Sequence, residues 1–301
     1  MPSGPITVFG GTGFLGSAIV HELVDAGQAV RIAARRPVLP AWAQEGDPLS
    51  LIHADIRDEA SVADALDGAG GVVNAVSLYV QSREARFDAI HVEGAGRLAR
   101  LARDAGVEEL VHVSGIGSDS RSPSSYVRAR AQGEAEVIAG FPKAVIVRPS
   151  VLFGPGDAFL GTLAGLARLP VIPLFGRGET RLQPVHVVDV ARAVVRLLGG
   201  NPPRWRLFEL GGPEVIRYRD ILALLLAYLE RERPLLPIPF PLWHLLALLA
   251  SVLPNPPLTR DQVFLMQQDN CVSEAVGSFA ELGIAPRALR DSLPECLPAA
   301  S

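Results

Sequence analysis

Gly10, Gly13 and Gly16 recur at every third residue in Val8-Phe9-Gly10-Gly11-Thr12-Gly13-Phe14-Leu15-Gly16, a spacing suited to chemistry performed by the backbone itself. Glycine allows a tight turn, lets N–H groups approach a pyrophosphate, and lets a helix pack closely on the strand before it. A helix opening at Phe14 adds free N–H groups and a partial positive charge at its N-terminus. Gly10, Thr12, Gly13, Phe14, Leu15 and Gly16 are therefore candidates for holding a dinucleotide, against the alternative of a bare structural turn. Further on, Arg31-Ile32-Ala33-Ala34-Arg35-Arg36-Pro37 carries no acid where an NAD site usually offers one to the ribose 2′-hydroxyl. Arg35 and Arg36 instead present bidentate cationic donors suited to a 2′-phosphate, which favours NADP(H) over NAD(H). An ordinary solvated arginine pair is the alternative, because the chain has 27 Arg and a single Lys, Lys143. Asp55, in His53-Ala54-Asp55-Ile56-Arg57, stands where an adenine amino group could be met, and equally where a turn or cap would use a carboxylate.

Such residues need a scaffold, and the first 150 residues supply its pattern: short β-branched runs alternate with longer helical stretches, as in a parallel sheet covered by helices. Strands are expected at 6–9, 29–33, 51–54, 71–75, 109–113 and 144–147, and helices near 14–26, 61–66, 85–105 and 125–138. Gly27, Gly106 and Gly140 close three of these helices. From about Ser150 onward Gly and Pro become frequent, helices dominate and strands such as 207–210 come singly. The expected architecture is an α/β, doubly wound parallel sheet over 1–150 with a smaller, mostly helical lobe over 151–301 that shares some strands with the sheet.

The 301 residues are 49% hydrophobic and 20% charged, a globular composition that excludes disordered and fibrous classes. A net charge of −4 leaves no basic footprint for nucleic acid. Cys271 and Cys296 are too few for a disulfide framework, and His53, His91, His112 and His244 show no metal-ligand spacing, so no metal is expected. The apolar run from Ile6 has no basic residue before it, so no secretory or transit signal is expected and a cytoplasmic place is. Residues 234–259 contain no Asp, Glu, Lys or Arg and seven prolines, which limit a continuous helix to 241–253. Such a helix is about 20 Å long, short of the ~30 Å hydrocarbon core of a bilayer. Being apolar nearly all round it should be buried on several sides, by the chain's own core, by a partner protein or by a membrane interface.

Taken in order, the glycine loop, Asp55, Asn74-Ala75-Val76, Val113-Ser114, the Tyr126 helix and Val147-Arg148-Pro149-Ser150 resemble the extended and atypical short-chain dehydrogenase/reductases. Tyr126 to Glu134, Arg148 to Pro155, Gln183-Pro184-Val185-His186-Val187-Val188-Asp189-Val190 and Pro257 to Gln262 look most like the branch containing the NAD(P)H-binding accessory subunit of respiratory complex I and its bacterial relatives. The resemblance implies a Rossmann-type fold, a nicotinamide dinucleotide, and a cofactor site that also takes in Ile56, Ala75, Val76, Tyr126, Arg130 and Pro149. In active members a Tyr moves a proton while a Lys four residues on lowers its pKa and holds the nicotinamide ribose. Tyr126 matches the Tyr, but the partner is Arg130, a planar fork in place of a compact ammonium. Ser114 is the nearest match to the family's substrate-bonding hydroxyl, although Gly115-Ile116-Gly117 follow where more hydroxyls are usual. His186 and Asp189 read as structural. The implied function is an NADP(H)-binding accessory factor, weakly catalytic or non-catalytic, of a complex I or quinone-related membrane system. That places it peripherally on the inner face of the membrane and gives 234–259 a membrane complex or membrane surface to meet. The alternative is an active NADPH-dependent reductase or epimerase on a small carbonyl or sugar-nucleotide substrate.

Overall fold

The computed structural model describes residues 1–82, 85–199, 204–253 and 258–297. The chain divides into two compact units, the first formed by Met1–Pro149, Val187–Leu210 and Glu274–Ile284. Its strands are β1 (Ile6–Phe9), β2 (Val30–Ala34), β3 (Leu49–His53), β4 (Gly71–Asn74), β5 (Glu109–Val113) and β6 (Val145–Pro149), joined by the later Leu207–Leu210. They form one sheet in the order Leu207–Leu210, β6, β5, β4, β1, β2, β3, with every pairing parallel. The chain winds outward from β1 to β3 and then restarts on the other side at β4. The winding direction therefore reverses between β1 and β4, which defines a Rossmann-type switch point. β1 and β4 are buried at every residue, with Thr7 and Asn74 the polar exceptions among their mostly apolar side chains, as expected of central parallel strands covered on both faces.

The helices of this unit are α1 (Phe14–Asp25), α2 (Glu59–Leu66), α3 (Ala95–Asp104) and α4 (Ser125–Gly140), with a later one at Val187–Leu197. Asp58 caps α2 and Ser124 caps α4, each side chain accepting from a backbone N–H of the first turn. Phe9, Ile56, Leu66, Leu98, Leu110 and Ile146 belong to the buried core of this sheet-and-helix unit. The helix expected over 85–105 is in fact a π-helical segment, Asp88–Gly94, running into α3. Its wider turn accompanies a close approach by α4: a Cβ on Gly133 would lie 1.8 Å from the His91 carbonyl oxygen. Gly140, expected to close the fourth helix, is its last residue rather than a residue beyond it.

The second unit comprises Ser150–His186, Gly211–Ser273 and Ala285–Ser301. It contains β7 (Leu152–Phe153), α5 (Ala158–Leu166), β8 (Ile172–Phe175), β9 (Arg181–Leu182) and β10 (Val185–His186). The Val187–Leu197 helix of the first unit is α6, and Leu207–Leu210 is β11. The second unit then continues with β12 (Ile216–Arg217), α7 (Tyr218–Tyr228), β13 (Leu235–Ile238), α8 (Phe240–Ala250), α9 (Arg260–Leu265) and α10 (Leu289–Cys296). Among the described residues strands pair here in twos: β10 with β7, β12 with β9, and β13 with β8. Phe153, Leu160, Leu174, Tyr218, Leu222 and Leu225 are among its buried core.

The apolar helix forms as α8, with Pro239 at its cap and Pro241 in its first turn. Of the three covers expected for it, the chain's own core supplies little, because Ala247 is its only buried residue. Trp243 fixes one face, its Nε1–H donating to the Leu174 carbonyl at 2.9 Å and its ring tilted against Phe175, with centroids 4.4 Å apart. The opposite face leaves Leu245 50% and Leu249 62% exposed, so the chain's own core does not cover it. Among the described residues no helix is long and apolar enough to cross a membrane. Pro254, Pro256 and Pro257 of the proline-rich segment lie outside the described residues.

Candidate functional site

The glycine loop joins the C-terminal end of central β1 to α1 at the switch point. Gly10 has φ +77°, and a Cβ there would lie 2.9 Å from the Ala75 carbonyl oxygen and 3.0 Å from the Val76 nitrogen. Only glycine permits both the left-handed turn and this contact with the end of β4. The Gly13 N–H donates to the Gly10 carbonyl at 2.9 Å, and Gly13 is the cap of α1 without a side-chain acceptor for the first turn. A Cβ on Gly16 would sit 2.0 Å from the Gly10 oxygen, so helix and loop are pressed together. Thr12, Gly13 and Phe14 are exposed while Leu15 and Gly16 are buried, and no acidic residue stands in the first turn of α1. An exposed helix N-terminus with bare N–H groups fits a pyrophosphate.

At the neighbouring strand end, Arg35 and Arg36 follow β2, are exposed, and enter no salt bridge with any described residue. Asp55 follows β3 and is engaged locally. Its carboxylate accepts from the Arg57 backbone N–H at 3.0 Å and from Arg57 Nε at 2.9 Å. The Arg57 hydrogen bond is the main cause that holds the Asp55 carboxyl at a pKa of about 2, with the positive charge of Arg35 a smaller contribution. Ile56 is buried, and its carbonyl accepts from Arg97 Nη1 at 3.0 Å. Beyond β4, the Asn74 side chain turns back on the chain: its Oδ1 accepts from the Val76 N–H at 3.2 Å and its Nδ2 lies 3.1 Å from His112 Nδ1.

Tyr126 occupies the first turn of α4 and Arg130 the next turn of the same face, with Arg130 Nη1 donating to the Tyr126 hydroxyl at 2.5 Å. The guanidinium also lies over the phenol ring, 5.2 Å from its centroid. Phe87 and His91 meet that ring edge-on at 5.3 and 5.7 Å. Burial raises the Tyr126 pKa above the ordinary tyrosine value, and Arg130 opposes that shift without reversing it. Pro149 closes β6, its carbonyl accepting from the Ile116 N–H at 3.2 Å.

Gly115 explains how an arginine fits at position 130. A Cβ on Gly115 would lie 2.6 Å from Arg130 Nη1 and Nη2, so the planar fork lies flat against a residue without a side chain. Ser114, the hydroxyl candidate, is buried, and its Oγ donates to Glu134. Glu134 in turn receives Arg148 as a two-pronged partner, Nε to Oε1 at 2.9 Å and Nη2 to Oε2 at 2.6 Å, while Arg148 Nη1 reaches Glu209 at 3.3 Å. Arg148 and Glu209 face each other in register across β6 and β11. The network of Ser114, Glu134, Arg148 and Glu209 escaped sequence reasoning. Its one sequence signal is a charge inside each of two apolar strands, which a buried sheet tolerates only in pairs.

The structure assigns His186 and Asp189 to different units, His186 ending β10 and Asp189 buried in the first turn of α6. His186 lies edge-on to Phe153 at 5.2 Å, with Nε2 2.9 Å from Glu295 Oε1. Cys296, beside Glu295 at the end of α10, completes a group whose ligand atoms lie within 4.8 Å of one another.

Comparison with known proteins gives this geometry a context. The family model of the NAD dependent epimerase/dehydratase family matches residues 6–205. The mouse protein NADH dehydrogenase (ubiquinone) 1 alpha subcomplex subunit 9, mitochondrial, is 31% identical over 94% of this chain and 77% of its own length. Ceramide reductase of Caulobacter vibrioides is 31% identical over 64% of this chain and 60% of its own. Among solved structures, gox2253 superposes with a TM-score of 0.72 at 26% identity, covering 98% of this chain and 97% of that one.

Proposed function

This chain belongs to the NAD dependent epimerase/dehydratase family, and from that premise we propose that it is an NADP(H)-holding accessory factor of a respiratory complex I or quinone-related membrane system, with weak hydride chemistry or none. In this assignment Gly10, Thr12, Gly13, Phe14, Leu15 and Gly16 hold the pyrophosphate, and Arg35 and Arg36 pair with the 2′-phosphate. Asp55 and Ile56 border the adenine, while Ala75, Val76, Tyr126, Arg130 and Pro149 line the path to the nicotinamide. When bound, the nicotinamide supplies a hydride donor or acceptor. The relationship to the complex I subunit supports the membrane system as partner, and the exposed leucines of α8 support a peripheral place on the inner, cytoplasmic face of the membrane.

The observation that carries the accessory role is the packing of Arg130 between Tyr126 and Gly115. A general acid must release its proton near neutral pH, and a buried phenol with a raised pKa retains it. The Ser114 hydroxyl, bonded to Glu134, is committed to the buried ion network rather than offered to a substrate. The test is to purify the protein, identify any nucleotide that comes with it, titrate NADPH and NADH, and follow NADPH oxidation with quinones and sugar nucleotides. Tighter NADPH binding with background turnover is expected. Turnover at ordinary enzymatic rates that vanished in Tyr126→Phe would overturn the accessory role.

A second function is favoured by the direct bond from a cation to the Tyr126 hydroxyl and by the relationship to a ceramide reductase. It is an active NADPH-dependent reductase or epimerase on a small carbonyl or sugar-nucleotide substrate, with Tyr126 giving its proton to the carbonyl oxygen and Arg130 compensating the phenolate.

A further inference from the structure

We propose that His186, Glu295 and Cys296 form a binding site for a divalent, borderline-soft cation of the zinc class, which ties the C-terminal helix α10 to the end of β10. His186 is more than a hundred residues from the adjacent Glu295 and Cys296 in the chain, yet the three ligand atoms lie within 4.8 Å of one another. Imidazole nitrogen, carboxylate oxygen and thiolate sulfur together are a donor set for zinc rather than for magnesium or calcium, which avoid sulfur. With metal–ligand bonds of about 2.0–2.3 Å, the edges of a tetrahedral site measure about 3.3–3.7 Å. The 2.9 Å separation of His186 Nε2 and Glu295 Oε1 therefore opens by about half an ångström on binding, and the thiol, within 4.8 Å of the other two, moves inward by up to about an ångström.

The surroundings agree with a cation. A neutral imidazole, a carboxylate and a thiolate sum to two negative charges, which one dication neutralises. His186 is 1% exposed and held against Phe153, so this ligand is fixed in place. Glu295 is 45% exposed on its side chain, which leaves an entry path and a fourth position for water. Asp157 faces the thiol and adds negative field, but its two oxygens already accept from the Leu160 N–H at 2.6 Å and the Gly154 N–H at 3.1 Å. Arg287 opposes a cation here, its Nη1 standing 3.7 Å from Glu295 Oε1, at the edge of ion-pair distance. Glu295 lies within the last turn of a helix that carries no basic residue there. Clamping a strand end to a helix so distant in sequence restrains a long loop, so a bound ion should stabilise the fold.

Cobalt(II) is the probe, because its bond to a thiolate gives a near-ultraviolet charge-transfer band. The full chain, reduced and stripped with a chelator, is titrated with cobalt(II), and zinc(II) is then added in competition. One equivalent of cobalt, a thiolate band, its displacement by zinc, and a zinc-dependent rise in Tm are expected. Cys296→Ser should abolish the band and weaken zinc binding by at least about tenfold, whereas Cys271→Ser should change neither. A band that is absent from the unmodified chain, survives Cys296→Ser or is lost in Cys271→Ser overturns the proposal. His186→Gln, with folding checked by circular dichroism, supplies the second arm: a folded variant whose band is unchanged also overturns it.

Discussion

Tyr126 and Arg130 are legible in the sequence as a pair on one helical face, but the sequence alone makes Arg130 look like one more exchange in a chain nearly devoid of lysine. The contact with Gly115 makes the substitution a packed feature instead, since any side chain at 115 would strike the guanidinium. Gly115→Ala is therefore expected to displace the fork and weaken NADPH binding by about tenfold or more, consistent with losing one charge-assisted hydrogen bond. Arg130→Lys restores a compact ammonium, and the accessory role predicts that NADPH oxidation rises above background by at least about tenfold, within the range of general acid–base effects. Unchanged rates in Arg130→Lys would show that the arginine is not what suppresses chemistry. Arg35 and Arg36 are exposed and free of salt bridges with described residues, so Arg35→Ala with Arg36→Ala should cost NADPH at least one to two orders of magnitude in Kd, the loss of at least one charged hydrogen bond worth about 1.5–3 kcal/mol, and leave NADH nearly unaffected. Equal losses for both nucleotides would remove the 2′-phosphate from the argument. What sequence could not show at this scale is anything made by distant partners: Glu134 with Arg148 and Glu209, or His186 with Glu295, meet only because strands and helices far apart in sequence come together.

The elements divide in the same way. The β-branched runs around the glycine loop produced the expected parallel sheet because buried parallel strands are apolar on both faces, a pattern local enough to be read. The π-helical start of the third helical stretch was not readable, because it accompanies the approach of Gly133 in α4 to the His91 carbonyl. Helix α8 was readable as a helix, but an all-apolar sequence does not distinguish burial in a core from exposure to a greasy partner. The exposed positions of Leu245 and Leu249 now decide how a change there should behave. Leu245→Asp with Leu249→Asp creates no buried carboxylate, so stability should shift by about 0.5 kcal/mol or less per site. If α8 docks on a membrane or membrane complex, fractionation of cells should find the unmodified protein partly with membranes and the double variant released, folded and binding NADPH. An unmodified protein wholly absent from the membrane fraction would exclude that role for α8.

At the scale of the whole molecule, stability against acid follows from which groups the fold keeps neutral and which it keeps charged. Burial lowers the His91 pKa to about 4 and that of His112 to about 3, with the positive charge of Arg130 adding to both. In the unfolded chain each histidine titrates near 6.5. Between about pH 6.5 and these lowered values the unfolded state binds protons that the folded state refuses, so stability falls as pH falls through that window. The slope is about 1.4 kcal/mol per pH unit for each such proton. The paired carboxylate of Asp55 acts in a lower window, its stabilisation complete above 3.8 and lost as pH drops towards about 2. The two windows separate the causes: weakening that begins near pH 6 belongs to the buried histidines His91 and His112, and weakening that begins below 4 belongs to carboxylates. Urea unfolding of the intact chain at pH 7, 6 and 5 should show the first loss already between 7 and 5. His112→Gln removes one titrating group from the upper window and should flatten that slope by about one proton, whatever the substitution does to stability at pH 7. A slope unchanged in His112→Gln would mean that His112 is protonated inside the folded protein and that burial does not hold its imidazole neutral.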